Sequence, residues 1–402
     1  MNTRMKKISV KKIYLDYAAT TPVAPEVEKA MRPYWSGCFG NPGSLHSFGQ
    51  EAMAAIDLSR ERFSKMIGAQ FREVIFTGSA TEANNLAIRG VLRAWQKRHE
   101  GIPRLIVSSV EHESVLETAR LLESEGVDVA YLSVSKEGYI NMKELESALN
   151  DQTVLVSIMY GNNEIGTVQP IQKISRVISD FRKQHNAAYP LFHTDAVQAL
   201  PYIVVRVDDL GVDLATFSGH KVYGPKGVGA LYVRGLTERS VIEPLLAGGG
   251  QEFGFRSGTE NVSLIVGFVR AVELRGQKRK KEEEKITALK KYCFQKMSLV
   301  DKKILLNGVS LKEGLPHILN VAFSSILASD LLVYLDLHGV AISAGSACTA
   351  RSPEPSHVLK ALGLPTDRIS RSVRFSFGSD TTRAQIDTAI RLIKKRFLEK
   401  GR

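Results

Sequence analysis

Leu105-Ile106-Val107-Ser108-Ser109 is a short apolar run of β-forming residues, and Val127-Asp128-Val129-Ala130-Tyr131-Leu132 is another. Between them Ser114–Glu125 carries apolar residues at helical spacing and gives way to Gly126, the residue that best tolerates the left-handed turn closing a helix. Strand, helix, strand over so short a stretch is a βαβ unit. The same rhythm extends outward over residues 70–235. Further β-rich runs stand at Glu73–Phe76, Val154–Tyr160, Leu191–Ala196, Leu214–Ser218 and Ala230–Val233, and a second helical pattern at Glu82–Arg98. Seven runs of this kind predict a mostly parallel α/β sheet covered on both faces by helices.

After residue 260 the rhythm changes. Val262–Lys296 reads as one long helix with a solvated charge run, seven basic and three acidic residues between Lys278 and Lys291. It is followed by a strand pattern at Ile318–Ser324, a helix at Asp330–His338, strands at Val340–Ser343 and Ser372–Phe377, and a last helix opened by Thr382 with Gln385 three residues on. A second, smaller α+β domain is expected.

The 402 residues are 44% hydrophobic and 24% charged, which excludes disordered and fibrous chains. Lys plus Arg minus Asp plus Glu, 54 − 42, gives +12, a balance that favours acidic partners without naming one. No apolar run reaches the roughly 18 residues of a membrane span, so no membrane partner is expected. Met1–Lys12 is basic but lacks the apolar stretch and cleavage site of a secretory signal. Cys38, Cys293 and Cys348 are too scattered for a disulfide framework or a four-thiolate zinc centre, so no metal site is expected and the compartment is read as the cytoplasm.

Chemistry gathers where strand patterns end. Ser218-Gly219-His220-Lys221 places a lysine in a glycine-punctuated turn, where a desolvated amine could form a Schiff base; a surface lysine in an ordinary turn is the equal alternative. Phe76-Thr77-Gly78-Ser79-Ala80-Thr81-Glu82 leads a strand through small residues into a helix, a terminus able to take a phosphate as well as an ordinary capped one. Asp195 closes the strand beginning at Leu191, with Gln198 three residues on. It could serve a pyridinium nitrogen or simply cap a helix. Gly161-Asn162-Asn163-Glu164 is an amide-rich turn, and Glu111-His112 follows another strand, where the imidazole could stack on a planar ring, move protons or face solvent. Ser343–Ser356 is a small-residue loop bounded by prolines. It carries Cys348 three residues from Arg351, a polar setting suited to a nucleophilic thiolate.

These segments resemble the pyridoxal-phosphate-dependent cysteine desulfurases of the class V aminotransferase-like group. The likeness runs through Tyr14–Pro22, Asn41–Ser44, Thr77–Asn85, Glu111-His112, Asn162–Gly166, His193–Gln198, Ser218–Gly229, Gly248–Glu252, Arg256–Asn261, Gly345–Cys348 and Arg374–Gly378. It implies the type I fold of pyridoxal-phosphate enzymes. A large cofactor-binding domain over residues 16–260 would hold a mostly parallel seven-stranded sheet, and a small α+β domain over 1–15 and 261–402 would carry the catalytic cysteine loop. It further implies that Lys221 binds the cofactor covalently, Asp195 pairs with its ring nitrogen, Gln198 reaches its ring hydroxyl and His112 stacks on it. Ala80, Thr81, Ser218 and His220 would hold the phosphate, with Thr259 reaching it from the second subunit of a homodimer. Asn163, also near the cofactor, and Arg374 would bind the substrate carboxylate.

The implied activity converts L-cysteine to L-alanine and leaves the sulfur on Cys348 as a persulfide. That sulfur would feed iron-sulfur cluster assembly, with tRNA or cofactor thiolation as further outlets. The long Cys348 loop resembles group I members, which hand sulfur to an acceptor or scaffold protein and whose cysteine could share a transferred cluster. Arg256–Asn261 resembles the nitrogen-fixation-type branch. An aminotransferase or selenocysteine lyase would share Lys221 and Asp195, and a basic tRNA-thiolation adaptor would need neither.

Overall fold

The structure is a computed structural model that describes residues 12–236, 241–345 and 355–400. Its contacts separate two units. The larger comprises the described residues of Thr20–Asn163 and Thr167–Lys281, the smaller those of Met1–Ala19, Glu164–Gly166 and Glu282–Arg402. The later of these divisions falls inside Val262–Val300, a single unbroken helix. A continuous helix gives no change of pattern at such a crossing, whereas the change of rhythm in the sequence stands near residue 260.

Strand β1 (Ile13–Tyr14) belongs to the smaller unit. The larger holds β2 (Val74–Thr77), β3 (Arg104–Ser108), β4 (Asp128–Leu132), β5 (Thr153–Ser157), β6 (Leu191–Asp195), β7 (Leu214–Ser218) and β8 (Gly229–Val233). They form one seven-stranded sheet in the order β2-β8-β7-β6-β5-β3-β4. Strand β3 pairs in parallel with β4 and β5, β5 with β6, and β6 with β7, while β8 runs against β7 and β2. The expected mostly parallel α/β sheet is therefore what forms.

Helices α1 (Pro25–Met31), α2 (Pro33–Ser36), α3 (Ser47–Ile67), α4 (Ala80–Gln96), α5 (Glu113–Ser124), α6 (Met142–Ala148), α7 (Ile171–Gln184) and α8 (Val207–Leu210) belong to this unit. Side chains alternate across a strand, so the sheet has two apolar faces. Ile75, Leu105, Val107, Leu155, Leu214 and Leu231 cluster with residues of α4 and α5. Phe76, Ile106, Val156, Phe192 and Phe217 cluster with α3, α7 and the start of the long helix. There Phe63 meets Phe217 edge-on with ring centroids 5.3 Å apart and Phe268 at a tilt with centroids 5.0 Å apart.

Two local features set the sheet edge that matters. Helix α4 is capped by Ser79, whose Oγ accepts the Glu82 N–H at 3.1 Å. Gly229 opens β8 against that turn, and a Cβ there would stand 2.7 Å from the Ser79 carbonyl carbon and 2.9 Å from the Ala80 nitrogen. No larger residue fits at 229 without moving the first turn of α4.

In the smaller unit β9 (Leu305–Leu306), β10 (Ile318–Ala322) and β12 (Ser372–Ser376) form an antiparallel sheet in the order β12-β10-β9. Strand β11 (Val340–Ala341) pairs in parallel with β1. The strand expected over Val340–Ser343 is thus shorter, Ser343 returning as an isolated bridge to Arg374. No helix among the described residues is long and apolar enough to cross a membrane.

Candidate active site

Because β3, β5, β6 and β7 run in parallel, their C-terminal ends share one edge of the sheet, where α/β folds place ligands. Strand β6 ends at Asp195, β7 at Ser218, and β5 leads to Asn162 and Asn163. Strand β3 leads to Glu111 and His112.

Lys221 ends a short 3-10 turn, Gly219–Lys221, that follows β7 directly. The turn is held by Thr21, whose N–H and hydroxyl both donate to the His220 carbonyl at 2.9 Å. The same Oγ accepts the Tyr223 N–H at 2.8 Å. Tyr223 sits at φ 65, a conformation that disfavours side chains, so the turn depends on these bonds. His220 Nδ1 lies 3.1 Å from Thr20 Oγ1. Burial pushes the His220 imidazole down to about 3, helped by the positive charges of Lys221, Lys226 and His112, and the ring is therefore neutral near pH 7.

Asp195 is 6% exposed, and both of its oxygens are engaged. Oδ1 accepts the Val197 N–H at 3.0 Å and Oδ2 accepts Asn84 Nδ2 at 2.8 Å. Asn84, fully buried on α4, also donates to Ser114 Oγ at 2.8 Å. Ser114 Oγ stands 2.9 Å from Nδ1 of His112, and that nitrogen accepts the Ser114 N–H at 3.1 Å, so His112 caps α5. An unbroken chain of side chains thus ties His112 to Asp195.

Beneath this edge lie two further titratable groups. Glu111 is fully buried, its Oε1 accepting Ser108 Oγ at 2.6 Å and the Met159 N–H at 2.8 Å. Burial pushes its carboxyl up to about 8 against the pull of those bonds, and the Asp195 charge adds to the rise. His193 lies between Ser157 Oγ at 2.8 Å and Thr216 Oγ1 at 3.0 Å, and burial pushes it down to about 3.

The other expected residues differ in exposure and in the unit that holds them. Thr259 and Thr81 are exposed, while Gln198 is buried. Arg374 lies in the smaller unit, where its buried guanidinium donates to Asp16 Oδ1 at 2.8 Å. Cys348 and Arg351 fall outside the described residues. On either side of them, Gly345 and Ser356 lie close together, and Ser356 Oγ donates to Glu164 Oε2 at 2.6 Å. Thr21, Asn84, Ser114 and Glu111 were not singled out in the sequence for these positioning contacts. The capping spacing of His112 and Ser114 was the nearest available signal.

Residues 13–388 match Aminotransferase class-V. The chain belongs to that family. A cysteine desulfurase IscS of Dictyoglomus turgidum is 44% identical over 98% of this chain and 96% of its own length. A putative cysteine desulfurase IscS 1 of Bacillus subtilis is 43% identical over 94% of this chain and 97% of its own. Among solved structures, a NifS-like protein superposes with a TM-score of 0.88 at 33% identity, covering 96% of this chain and 99% of that one. SspA in complex with cysteine gives 0.78 at 40%, covering 91% and 98%.

Pyridoxal 5'-phosphate is the cofactor of this family, and the donor set suits it. The sheet edge offers an amine for its aldehyde, a buried carboxylate for its ring nitrogen, and hydroxyls beside a helix N-terminus for its phosphate. The first N–H groups of α4, at Ala80 and Thr81, have no acceptor within their own helix. Gly78 keeps that turn narrow, since a Cβ there would stand 2.9 Å from Glu82 Oε2.

Proposed function

We propose that the protein is a cysteine desulfurase that converts L-cysteine to L-alanine and stores the sulfur on Cys348 as a persulfide. The observation carrying this reading is the placement of Asp195 at the end of β6 and of Lys221 just past the end of the adjacent parallel strand β7, with the N-terminus of α4 in the same unit. Near-full-length likeness to proteins named cysteine desulfurase supports the choice of substrate.

When bound, pyridoxal 5'-phosphate supplies an aldehyde for amines and a ring that takes up the electron pair released at the substrate Cα. Lys221 Nζ would hold the cofactor covalently and would move the proton from the substrate Cα. Asp195 keeps a proton on the ring nitrogen, its own oxygens fixed by Asn84 and Val197. Gln198 would serve the ring hydroxyl, and His112, its orientation set by Ser114, would pack on the ring and carry protons. Ala80, Thr81, Ser218 and His220 bind the phosphate. A neutral His220 presents one N–H and one lone pair rather than a charge. Arg374 and Asn163 bind the substrate carboxylate, Arg374 exchanging or sharing its bond to Asp16.

The Cys348 thiolate attacks the substrate sulfur, forming an S–S bond as the Cβ–S bond breaks. The electron pair stays on the carbon skeleton, which two protons complete as L-alanine. Thiol plus L-cysteine thus gives persulfide plus L-alanine, and no outside oxidant is required.

In this reading Thr259 reaches the phosphate of a second subunit, so the active form is a homodimer. It works in the cytoplasm and passes sulfur to an acceptor or scaffold of iron-sulfur cluster assembly. The test is L-alanine formation from L-cysteine in the presence of a thiol reductant. One L-alanine per sulfide, abolished by Lys221→Ala, is the expected result. L-cysteine turnover yielding a keto acid instead, without sulfide, would replace the reading with an aminotransferase.

A further inference from the structure

Glu82 occupies the third position of α4, inside the helix end assigned to the cofactor phosphate. Its Oε2 accepts the Gly78 N–H at 2.9 Å, tightening the turn between β2 and α4. A carboxylate so placed opposes an incoming phosphate dianion. Arg256 answers it: Nε donates to Glu82 Oε1 at 2.8 Å, with one terminal nitrogen 3.5 Å from Oε2. Both side chains are 23% exposed, and a pair this wet adds little to stability. Its value lies in where the charge sits.

The segment bearing Arg256 is held at some conformational cost. Glu252 and Phe253 both adopt positive φ, 48 and 60, a backbone region that disfavours residues with side chains. Opposing that cost, Glu252 forms a buried two-point pair with Arg60, each contact 2.7 Å, and Arg60 also donates to the Val74 carbonyl at 2.6 Å. Glu252 Oε2 accepts the Phe76 N–H at 2.8 Å, on the strand that leads into the same turn. Glu252 and Arg256 thus fasten this segment to the phosphate end at two points four residues apart in sequence.

We propose that Arg256 is a positioning residue that neutralises Glu82, allowing the β2–α4 turn to keep a structural carboxylate and still bind a phosphate. This rests on the reading of the site as a pyridoxal-phosphate site. Arg256 acts through Glu82 rather than by touching the cofactor.

The test is equilibrium binding of pyridoxal 5'-phosphate, and of pyridoxal without its phosphate, to the full chain freed of cofactor, followed by absorbance. Arg256→Gln should raise the Kd for pyridoxal 5'-phosphate about tenfold and leave that for pyridoxal unchanged. Adding Glu82→Gln to Arg256→Gln should restore most of the loss, because the uncompensated charge is gone. That rescue would also show that a weakened Arg256→Gln is not merely misfolded. Equal weakening for both ligands, an unchanged Arg256→Gln, or a double variant as weak as the single one would each overturn the proposal. The last outcome would mean that Arg256 meets the phosphate directly. Failure of the unsubstituted protein to bind pyridoxal 5'-phosphate at all would instead remove the cofactor reading, and this inference with it.

Discussion

Asn84 Nδ2 donates to Asp195 Oδ2 at 2.8 Å and to Ser114 Oγ at the same distance, making one buried amide the link between the carboxylate and the imidazole of His112. A lone buried carboxylate can relax toward any nearby donor. This one is held by bonds to both oxygens, so its orientation is fixed by donors of this chain.

Replacing Asn84 by Ala removes that link and leaves a buried carboxylate oxygen short of a donor, at a cost of about 1–3 kcal/mol. The expected result is a fall in turnover together with a changed absorption band of the bound cofactor. Asn84→Asp, which sets a second acid against Asp195, should be worse than Asn84→Ala. Absorbance spectra of both variants beside their rates of L-alanine formation check the order.

Thr21 forms a clamp on the Lys221 turn from 199 residues away in sequence. Thr21→Val keeps the shape and removes the hydroxyl that bridges the His220 carbonyl and the Tyr223 N–H. A loss of about 1–2 kcal/mol in urea unfolding is expected, with slower L-alanine formation, and Thr21→Ser should recover most of both.

The Arg60–Glu252 pair is buried, 4% and 2% exposed at the side chains, with Arg60 also lying over the rings of Phe76 and Phe253 at 4.9 Å. Removing one partner strands the other charge. Arg60→Ala should therefore destabilise the fold by about 3–5 kcal/mol, and Arg60→Met/Glu252→Gln by clearly less than either single change. Chemical denaturation of Arg60→Ala, of each single change and of the double variant measures it.

Glu111 and His193 give opposite pH dependences. The Glu111 carboxyl is pushed up to about 8, so between its ordinary range near 4.5 and pH 8 the unfolded chain ionises while the folded one does not, and stability falls as pH rises. For His193, pushed down to about 3, the unfolded chain takes up a proton below 6.5 and stability falls as pH falls. Glu111→Gln should remove the first effect alone. Relative to the unsubstituted protein, the variant should gain stability on going from pH 5 to pH 8, measured by unfolding at each pH.

The strands of the sheet were legible because they are short apolar runs whose polar ends coincide with observed ends at Asp195 and Ser218. The chemistry-bearing residues at those ends were legible for the same reason. The clamps were not. Thr21 and His220, Arg60 and Glu252, and Asn84 and Asp195 meet across 199, 192 and 111 residues, and nothing local marks one member for the other. Helix α3 escaped notice although its stop, Gly68 at φ 72, carries a readable signal. The short β1–β11 ladder owes its form to pairing between distant segments.

The central claim is that sulfur from L-cysteine comes to rest on Cys348. The most direct measurement is mass spectrometry of the peptide containing that residue, after the purified protein has met L-cysteine without reductant. The account predicts one added sulfur atom on that peptide, absent from a Lys221→Ala variant. Bound cofactor that responds to L-cysteine while the Cys348 peptide gains no sulfur would contradict it.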